Sequence, residues 1–256
     1  MSDPATVRLS IVDGLARITL DRPPLNVLTI AMMRELASAL LAAGGSPDVR
    51  VVRLDAAGKA FCAGVDVGDH VGDKLDPMLD SLDAVFAAFE AVPQPVVAAV
   101  HGAALGGGCE IVLGCDLCVA SDAAVFGQPE IKLGVFAPPA SILLPRAIGE
   151  RRALEWLLLG ESRTAPEAER AGLVNAVFPA AEFEQRSAAW VDRLLALSGP
   201  ALRLAKQAVS DARNLAPREA REILHRVYRN ELMTTADADE GLRSFLEKRK
   251  PVWTHR

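Results

Sequence analysis

An all-apolar stretch in the middle of the chain constrains the fold more than any other segment. Residues 95–100 read Pro-Val-Val-Ala-Ala-Val, with no polar position to face water. A strand of this kind needs cover on both faces, which is typical of a parallel sheet with helices on each side. Strand and helix patterns alternate around it, and such crossovers are right-handed. The sequence therefore predicts an α/β fold.

The elements around this strand have clear local signals. A hairpin is predicted where the tight-turn pair Asp13-Gly14 separates two alternating segments. Thr29 can cap the helix that follows, which runs to about Ala43. The other elements of this part are predicted at 49–54 (strand), 58–74 (polar loop), 81–92 (helix), 106–113 (helix opening), 116–121 (strand) and 174–178 (strand).

From residue 180 onward the pattern is helical throughout. Helices are predicted at 180–197, 200–215, 217–235 and 237–248. We expect a core over residues 1–195 and a helical region over 196–256 that packs as an extension of the core. A helix face that packs on its own core and one that packs on another subunit give the same sequence pattern.

The composition argues against several classes of function. The net charge is -5 and no long Lys/Arg stripe is present, so a nucleic-acid partner is not expected. No apolar run reaches the roughly 18 residues that a membrane span needs. The first residues lack a basic segment followed by an apolar one, so no secretory signal is predicted. We expect a cytoplasmic protein with no membrane partner.

The four cysteines include a C-x-x-C pair, Cys115 and Cys118. This spacing occurs in redox and zinc sites. Here the pair lies in an apolar stretch with no second pair and no nearby histidine. We predict reduced, buried cysteines that act as small hydrophobic residues, and no metal site.

Three consecutive glycines, Gly106, Gly107 and Gly108, follow a strand and open a helix. The dinucleotide-binding fingerprint does not fit, because the spacing differs and the strand is not the first. Two interpretations remain: close packing at a turn, or a ligand oxygen that reaches the amides of a helix N-terminus. Glu110 in the first turn has apolar neighbours. Its carboxyl is then either buried and paired or has a raised proton affinity, as an acid/base catalyst needs.

Two further segments carry candidate residues. Glu130 follows Pro129, and taken alone it is explained more simply as a charge at a helix N-terminus. Residues 59–66 form a turn of small residues whose amides can complete an anion pocket. Two carboxylates beside exposed peptide N–H groups are what a protein needs to move protons next to a carbonyl while holding an oxyanion.

These three segments, in this order, resemble the crotonase family of enoyl-CoA hydratases and isomerases. Residues 59–66 match the family's K-A-F-x-A-G-x-D loop, residues 102–110 its G-x-x-x-G-G-G-x-E motif, and residues 126–130 its F-G-x-P-E motif. The resemblance covers essentially the whole chain. It implies a spiral of ββα units with a helical C-terminal trimerisation region, in a homotrimer or a dimer of trimers.

The resemblance also implies an acyl-CoA thioester ligand, with coenzyme A as part of the substrate and no separate cofactor. It places the oxyanion hole at the amides of Val65 and Gly107. Glu110 and Glu130 match the two carboxylates of hydratases, and we assign Glu110 mainly to water activation and Glu130 mainly to proton delivery at carbon.

Other residues fall in segments that contact coenzyme A in relatives: Arg22, Ala63, Asp66, Phe245 and Lys248. Ala63 and Asp66 belong to the loop that receives adenine and pantetheine. For Lys248, a phosphate contact and a solvated helix end explain the sequence equally well.

The segment after Glu130 departs from the family pattern. Relatives continue into a P-G-A-G-G-T-Q-R-L run, whereas this chain has Pro138-Pro139 and the bulky Phe136. In relatives this segment borders the acyl end of the pocket. The segment resembles that of cyclohexa-1,5-diene-1-carbonyl-CoA hydratases, which act in anaerobic degradation of aromatics. We expect a hydratase of an enoyl-CoA or cyclic dienoyl-CoA. A family isomerase, hydrolase or decarboxylase and a non-catalytic acyl-CoA-binding scaffold are the alternatives.

Overall fold

The computed structural model describes residues 5–256, and a six-stranded sheet lies at its centre. The strands are β1 (Val7–Val12), β2 (Leu15–Leu20), β3 (Val51–Ala56), β4 (Val96–Val100), β5 (Ala103–Leu105), β6 (Leu117–Ser121), β7 (Val125–Gly127), β8 (Arg163–Thr164) and β9 (Ala176–Phe178). The central sheet has the order β1-β2-β3-β4-β6-β9, and β5-β7-β8 form a second sheet. Only the β1–β2 hairpin is antiparallel in the central sheet.

Ten α-helices surround the sheets in the described part of the chain. They are α1 (Ile30–Gly45), α2 (Leu75–Ala91), α3 (Gly107–Gly114), α4 (Pro138–Ile148), α5 (Glu150–Leu159), α6 (Ala165–Ala171), α7 (Phe183–Leu195), α8 (Gly199–Asp211), α9 (Pro217–Asn230) and α10 (Ala236–Leu246). Short 3₁₀ helices cover Val67–Asp69, Gly72–Lys74, Pro129–Leu133, Ala180–Glu182 and Leu232–Thr234.

The predicted double cover of the central strand is confirmed. All five residues of β4 are buried, and their side chains alternate between two cores. Val96, Ala98 and Val100 pack on the side of α1, α2 and α3. Val97 and Ala99 pack on the other face, where α7 contributes Phe183 and Val191. The period of two in the strand thus distributes one apolar segment over both faces.

The structure corrects several predicted boundaries. Helix α2 begins at Leu75, six residues before the predicted start at 81. Pro77 lies in the first turn, where a missing N–H costs no intrahelical bond. Residues 180–182 form a 3₁₀ turn before α7, and α9 ends at Asn230 rather than at 235. Helix α8 ends at Asp211, before the predicted 215.

Hydrogen bonds and an ion pair connect the C-terminal region to the core. Lys206 of α8 donates to the Asp116 carboxylate at 2.7 Å and to the Gln94 carbonyl at 3.0 Å. The indole of Trp253 donates to the Ala196 carbonyl at 2.9 Å. The division into residues 1–195 and 196–256 stays a prediction.

The cysteines are free thiols. Cys62, Cys109 and Cys118 are buried as predicted, and Cys115 is half-buried. Burial raises the pKa of Cys62 and of Cys109 to about 12, so these thiols stay protonated. Over residues 5–256, no helix has both the length and the apolar character to cross a membrane.

Candidate active site

Backbone hydrogen bonds hold the loop that carries Val65 on both sides. Cys62 exchanges two such bonds with β5, at 2.9 and 3.0 Å. Leu28 donates to the Gly64 carbonyl and accepts from the Asp66 amide, each at 2.8 Å. The Val65 N–H lies between these hydrogen-bonded residues and donates to no acceptor among the described residues. The loop is therefore fixed while one amide stays available.

Gly107 begins α3 and lies directly against Val65. A Cβ on Gly107 would lie 2.6 Å from Val65 Cγ2 and 3.3 Å from Val65 N. The N–H of the first residue of a helix has no intrahelical acceptor. Gly108 packs as closely on Cys62, since a Cβ there would lie 2.2 Å from the Cys62 carbonyl oxygen. The glycines thus allow the close approach that brings the two predicted oxyanion-hole residues together.

Glu110 is buried, with 3% of its surface exposed. Burial raises the pKa of its carboxyl to about 8; a hydrogen bond from Ala140 opposes this rise, and the charge of Glu130 adds to it. The Ala140 N–H donates to Glu110 Oε1 at 3.0 Å. Glu110 is therefore predominantly neutral at pH 7, which suits a group that exchanges a proton with a reactant.

Glu130 lies on the 3₁₀ helix Pro129–Leu133 and points at the glycine turn. A Cβ on Gly106 would lie only 2.5 Å from Glu130 Oε1. The other carboxylate oxygen, Oε2, is buried and has no hydrogen-bond partner among the described residues. Burial raises the pKa of Glu130, while its own backbone N–H and the charge of His70 lower it. This setting differs from that of a solvated charge at a helix N-terminus.

The segment that departs from the family pattern forms the start of α4. Pro138 and Pro139 occupy the first two helical positions and have no N–H. Ala140 is the first residue of the helix with a donor, and that donor goes to Glu110. Phe136, just before the helix, is 68% exposed. The segment thus donates one backbone hydrogen bond to the Glu110 carboxyl, and the Phe136 ring just before the helix stays exposed.

The predicted coenzyme A residues of the N-terminal part lie on adjoining loops. Asn26 is buried; its side chain accepts from the Arg22 N–H at 2.7 Å and donates to the carbonyls of Ala57 and Ala60, each at 2.8 Å. The Ala63 N–H donates to the Leu25 carbonyl at 3.0 Å.

The Asp66 carboxylate caps its own 3₁₀ turn by accepting from the Gly68 N–H at 2.8 Å. Phe245 and Lys248 lie at the end of α10, which packs against α8 and the turn Leu232–Thr234. Both side chains are exposed. Their role in coenzyme A binding rests on the resemblance alone.

Two residues of the site were missed from the sequence. Ala140 acts through its backbone, so its side chain gives no signal. His70 ends the 3₁₀ turn that follows Val65, and its charge acts on Glu130. The chain has only four histidines, and their scarcity was the available signal. Among residues 5–256, no three His, Cys, Asp or Glu side chains cluster as metal ligands would.

Comparison with known proteins places this geometry in a family. Residues 10–256 match the model of the enoyl-CoA hydratase/isomerase family. A probable enoyl-CoA hydratase of Mycobacterium tuberculosis is 39% identical over 242 residues, covering 93% of this chain and 94% of the relative. The cyclohexa-1,5-dienecarbonyl-CoA hydratase of Thauera aromatica is 37% identical over 256 residues, covering 100% of this chain and 98% of the relative.

Solved structures agree with the sequence relatives. An enoyl-CoA hydratase of Geobacillus kaustophilus superposes with a TM-score of 0.94 at 30% identity, covering 100% of this chain and 98% of the other. A second structure from that organism, an enoyl-CoA hydratase subunit I, gives a TM-score of 0.93 at 35% identity with full coverage of both chains. The fold predicted from the motifs is confirmed, and the chain belongs to the enoyl-CoA hydratase/isomerase family, the crotonase family.

Proposed function

We propose that this protein is a hydratase that adds water across the conjugated double bond of an enoyl-CoA thioester, with a cyclic dienoyl-CoA as its preferred substrate. One observation carries the proposal: two carboxyls, Glu110 and Glu130, flank the same glycine turn whose Gly107 amide lies beside Val65. Coenzyme A enters as part of the substrate, and the reaction needs no further cofactor.

The amides of Val65 and Gly107 stabilise the thioester oxygen as it gains enolate character. Neither amide has another acceptor among the described residues, and the loop hydrogen bonds hold them in place before the substrate arrives. Donors that are fixed in advance cost no reorganisation during the reaction, and the loss of one typically lowers the rate by roughly 10²–10³.

The two carboxyls bind the water and share the proton transfers of the reaction. Burial raises the pKa of both carboxyls, that of Glu110 to about 8, so each holds a proton more readily than an ordinary carboxyl does. In the hydration step one carboxyl accepts a proton from the attacking water, and the other delivers one to the carbon next to the carbonyl. The sequence motifs assign Glu110 mainly to the water and Glu130 mainly to the carbon, and this division stays a prediction.

The segment around α4 supports a cyclic acyl group. Its two prolines stiffen the turn, and the exposed ring of Phe136 is available to pack on a flat hydrocarbon. The relative from Thauera aromatica, which is named for a cyclic dienoyl-CoA, covers the whole chain at 37% identity.

We also propose self-association as a homotrimer or a dimer of trimers. The C-terminal helices and the turn between them carry exposed apolar side chains, among them Tyr228, Met233, Leu242, Phe245 and Leu246. Such surface is typical of a subunit interface. In an assembly of this kind, Lys248 meets a coenzyme A phosphate across the interface. Sedimentation equilibrium measures the stoichiometry, and a monomer at micromolar concentration contradicts this proposal.

The test of function follows the enoyl-thioester absorbance with crotonyl-CoA and with cyclohexa-1,5-diene-1-carbonyl-CoA. We expect loss of the band with both, a larger kcat/KM for the cyclic substrate, and ¹⁸O incorporation from labelled water. Glu130→Gln should lower kcat by about 10²–10⁴ with little change in affinity for the thioester. A shifted band without ¹⁸O indicates an isomerase. Tight binding without turnover indicates a scaffold, and near-wild-type turnover in Glu130→Gln contradicts the mechanism.

A further inference from the structure

A cleft at one end of the central sheet lies outside the candidate active site. Its volume is about 870 Å³, and it is lined by the β1–β2 turn, the chain before β3 and β4, helix α8 and residues 254–256. Arg50 and Gln94 line it just before β3 and β4 begin, at the amino ends of these parallel strands. The loop of Val65 and the segment that leads to Gly107 follow the carboxyl ends of the same strands. The cleft is therefore separated from the two carboxyls by the length of the sheet.

Two half-buried arginines meet in this cleft. Arg50 comes from the start of β3 and Arg203 from α8, and both side chains lie against Gly199. A Cβ on Gly199 would lie 3.3 Å from Arg50 Cγ and 3.5 Å from Arg203 Nη1. His255 reaches the same glycine, where its Nδ1 accepts from the Gly199 N–H at 3.3 Å. Three distant parts of the chain thus bring basic side chains to one place.

Neither arginine has an acidic partner. In residues 5–256, no Asp or Glu side chain forms an ion pair with Arg50 or Arg203. Arg50 donates to the carbonyl oxygens of Leu195 and Asp13, which holds its position but leaves its charge uncompensated. The Arg203 guanidinium donates to no acceptor among the described residues. Two like charges in one cleft repel each other, and an anion bound between them removes this repulsion.

The cleft also presents hydrogen-bond acceptors. Gln94 is buried, with 3% of its surface exposed, and its amide nitrogen donates to the carbonyls of Gly44 and Val49, each at 3.3 Å. Its Oε1 has no partner among the described residues. The exposed residues Asp13 and Asp48 add two carboxylates to the lining. A buried acceptor without a donor costs free energy, so these groups favour a ligand that carries hydroxyl donors as well as a negative charge.

We propose that this cleft binds a phosphate monoester that carries hydroxyl groups. Its phosphate lies between Arg50 and Arg203, because planar guanidinium groups match the oxygens of a phosphate and two of them balance its charge of about −1.5 to −2 at pH 7. Its hydroxyl groups donate to Gln94 and to the carboxylates of the lining. The cleft has the size of sites for small organic molecules, which occupy roughly 300–1,000 Å³, and is larger than a single phosphate ion needs. The ligand connects the start of β3 to α8.

Calorimetric titration of the full chain in a phosphate-free buffer tests the ligand class. The probes are ribose 5-phosphate, ribose and inorganic phosphate. We expect one site per chain for ribose 5-phosphate, weaker binding of inorganic phosphate and no binding of ribose. Absence of ribose 5-phosphate binding, as expected if a second copy of the chain covers the cleft, overturns the proposal. Equal affinity for ribose 5-phosphate and inorganic phosphate overturns the hydroxyl contacts.

Arg203→Gln locates the site. This arginine donates no hydrogen bond among the described residues, so its replacement should leave the fold intact. The affinity for ribose 5-phosphate should fall about tenfold, since a charge-assisted hydrogen bond is lost. Arg203→Lys keeps the charge without the planar fork and should retain part of the affinity. Saturating ribose 5-phosphate should raise the Tm of the wild type more than that of Arg203→Gln.

The matched control is Arg218→Gln, which removes an exposed arginine of α9 outside the cleft. It should bind ribose 5-phosphate like the wild type. Unchanged affinity in Arg203→Gln places the ligand elsewhere and overturns the assignment, as does an equal loss in Arg218→Gln. The titration requires no turnover, so its outcome is independent of whether the protein is a hydratase.

Discussion

Replacement of Glu110 by glutamine should stabilise the protein as the pH rises while it lowers activity. Burial raises the pKa of this carboxyl from 4.5 to about 8. The wild type therefore has its full stability below pH 4.5 and loses part of it as the pH rises through the folded-state value of about 8. From 1.36 kcal/mol per pH unit, the loss is about 3 kcal/mol at pH 7 and about 5 kcal/mol above pH 8.

Glutamine has no charge to bury, and its oxygen still accepts from Ala140. Glu110→Gln should therefore be nearly as stable as the wild type at pH 5 and clearly more stable at pH 7 and 8.5. Urea unfolding at a fixed protein concentration measures the difference at each pH. The same variant should lose about 10²–10⁴ in kcat. A stability difference that stays constant from pH 5 to 8.5 would refute the argument.

The matched control is Glu167→Gln on the surface. Glu167 caps α6, and its hydrogen bonds to Thr164 lower its pKa. The pH dependence of stability therefore has the opposite sign. Glu167 stabilises the protein above the ordinary pKa of a glutamate, and this stabilisation is lost as the pH falls through the lowered pKa. Glu167→Gln should therefore be less stable than the wild type at pH 7, and the difference should shrink in acid.

Three further substitutions test other parts of the site. Gly107→Ala places a Cβ 2.6 Å from Val65 Cγ2 and should lower kcat/KM by roughly 10²–10³ in a steady-state assay. Asn26→Ala removes two hydrogen bonds to loop carbonyls and should reduce the free energy of unfolding by about 2–4 kcal/mol in urea titration. Phe136→Ala should leave the melting temperature unchanged because the ring is 68% exposed, while kcat/KM for the cyclic substrate falls relative to crotonyl-CoA.

The fold was predictable where the pattern was local and repeated. The apolar segment of β4 indicated a sheet covered on both faces, and the observed cores alternate along it. The start of α2 was not predictable in the same way, because Pro77 looks like a helix breaker until its position in the first turn is known. Its helical register is fixed by packing on α1.

The site was predictable as a set of segments but not as a set of contacts. The glycines, Glu110 and Glu130 stood out because carboxylates beside glycine turns are chemically unusual. The sequence did not indicate that the space beside Gly106 is filled by Glu130. The Ala140 contact is made by a backbone amide, which any residue except proline supplies. Contacts of this kind depend on three-dimensional approach and have no sequence signature.

Under the proposed function, the hydrogen bond from Ala140 to Glu110 would couple the shape of the substrate to the rate of its conversion. The same short helix start carries the candidate acyl-contacting segment and the donor that orients Glu110. An acyl group of the wrong shape that displaces this segment would also turn the Glu110 carboxyl away from the reacting atoms. Within the proposed function, such a substrate binds through its coenzyme A portion with nearly normal affinity and is then converted slowly. Discrimination would therefore be found in kcat rather than in KM.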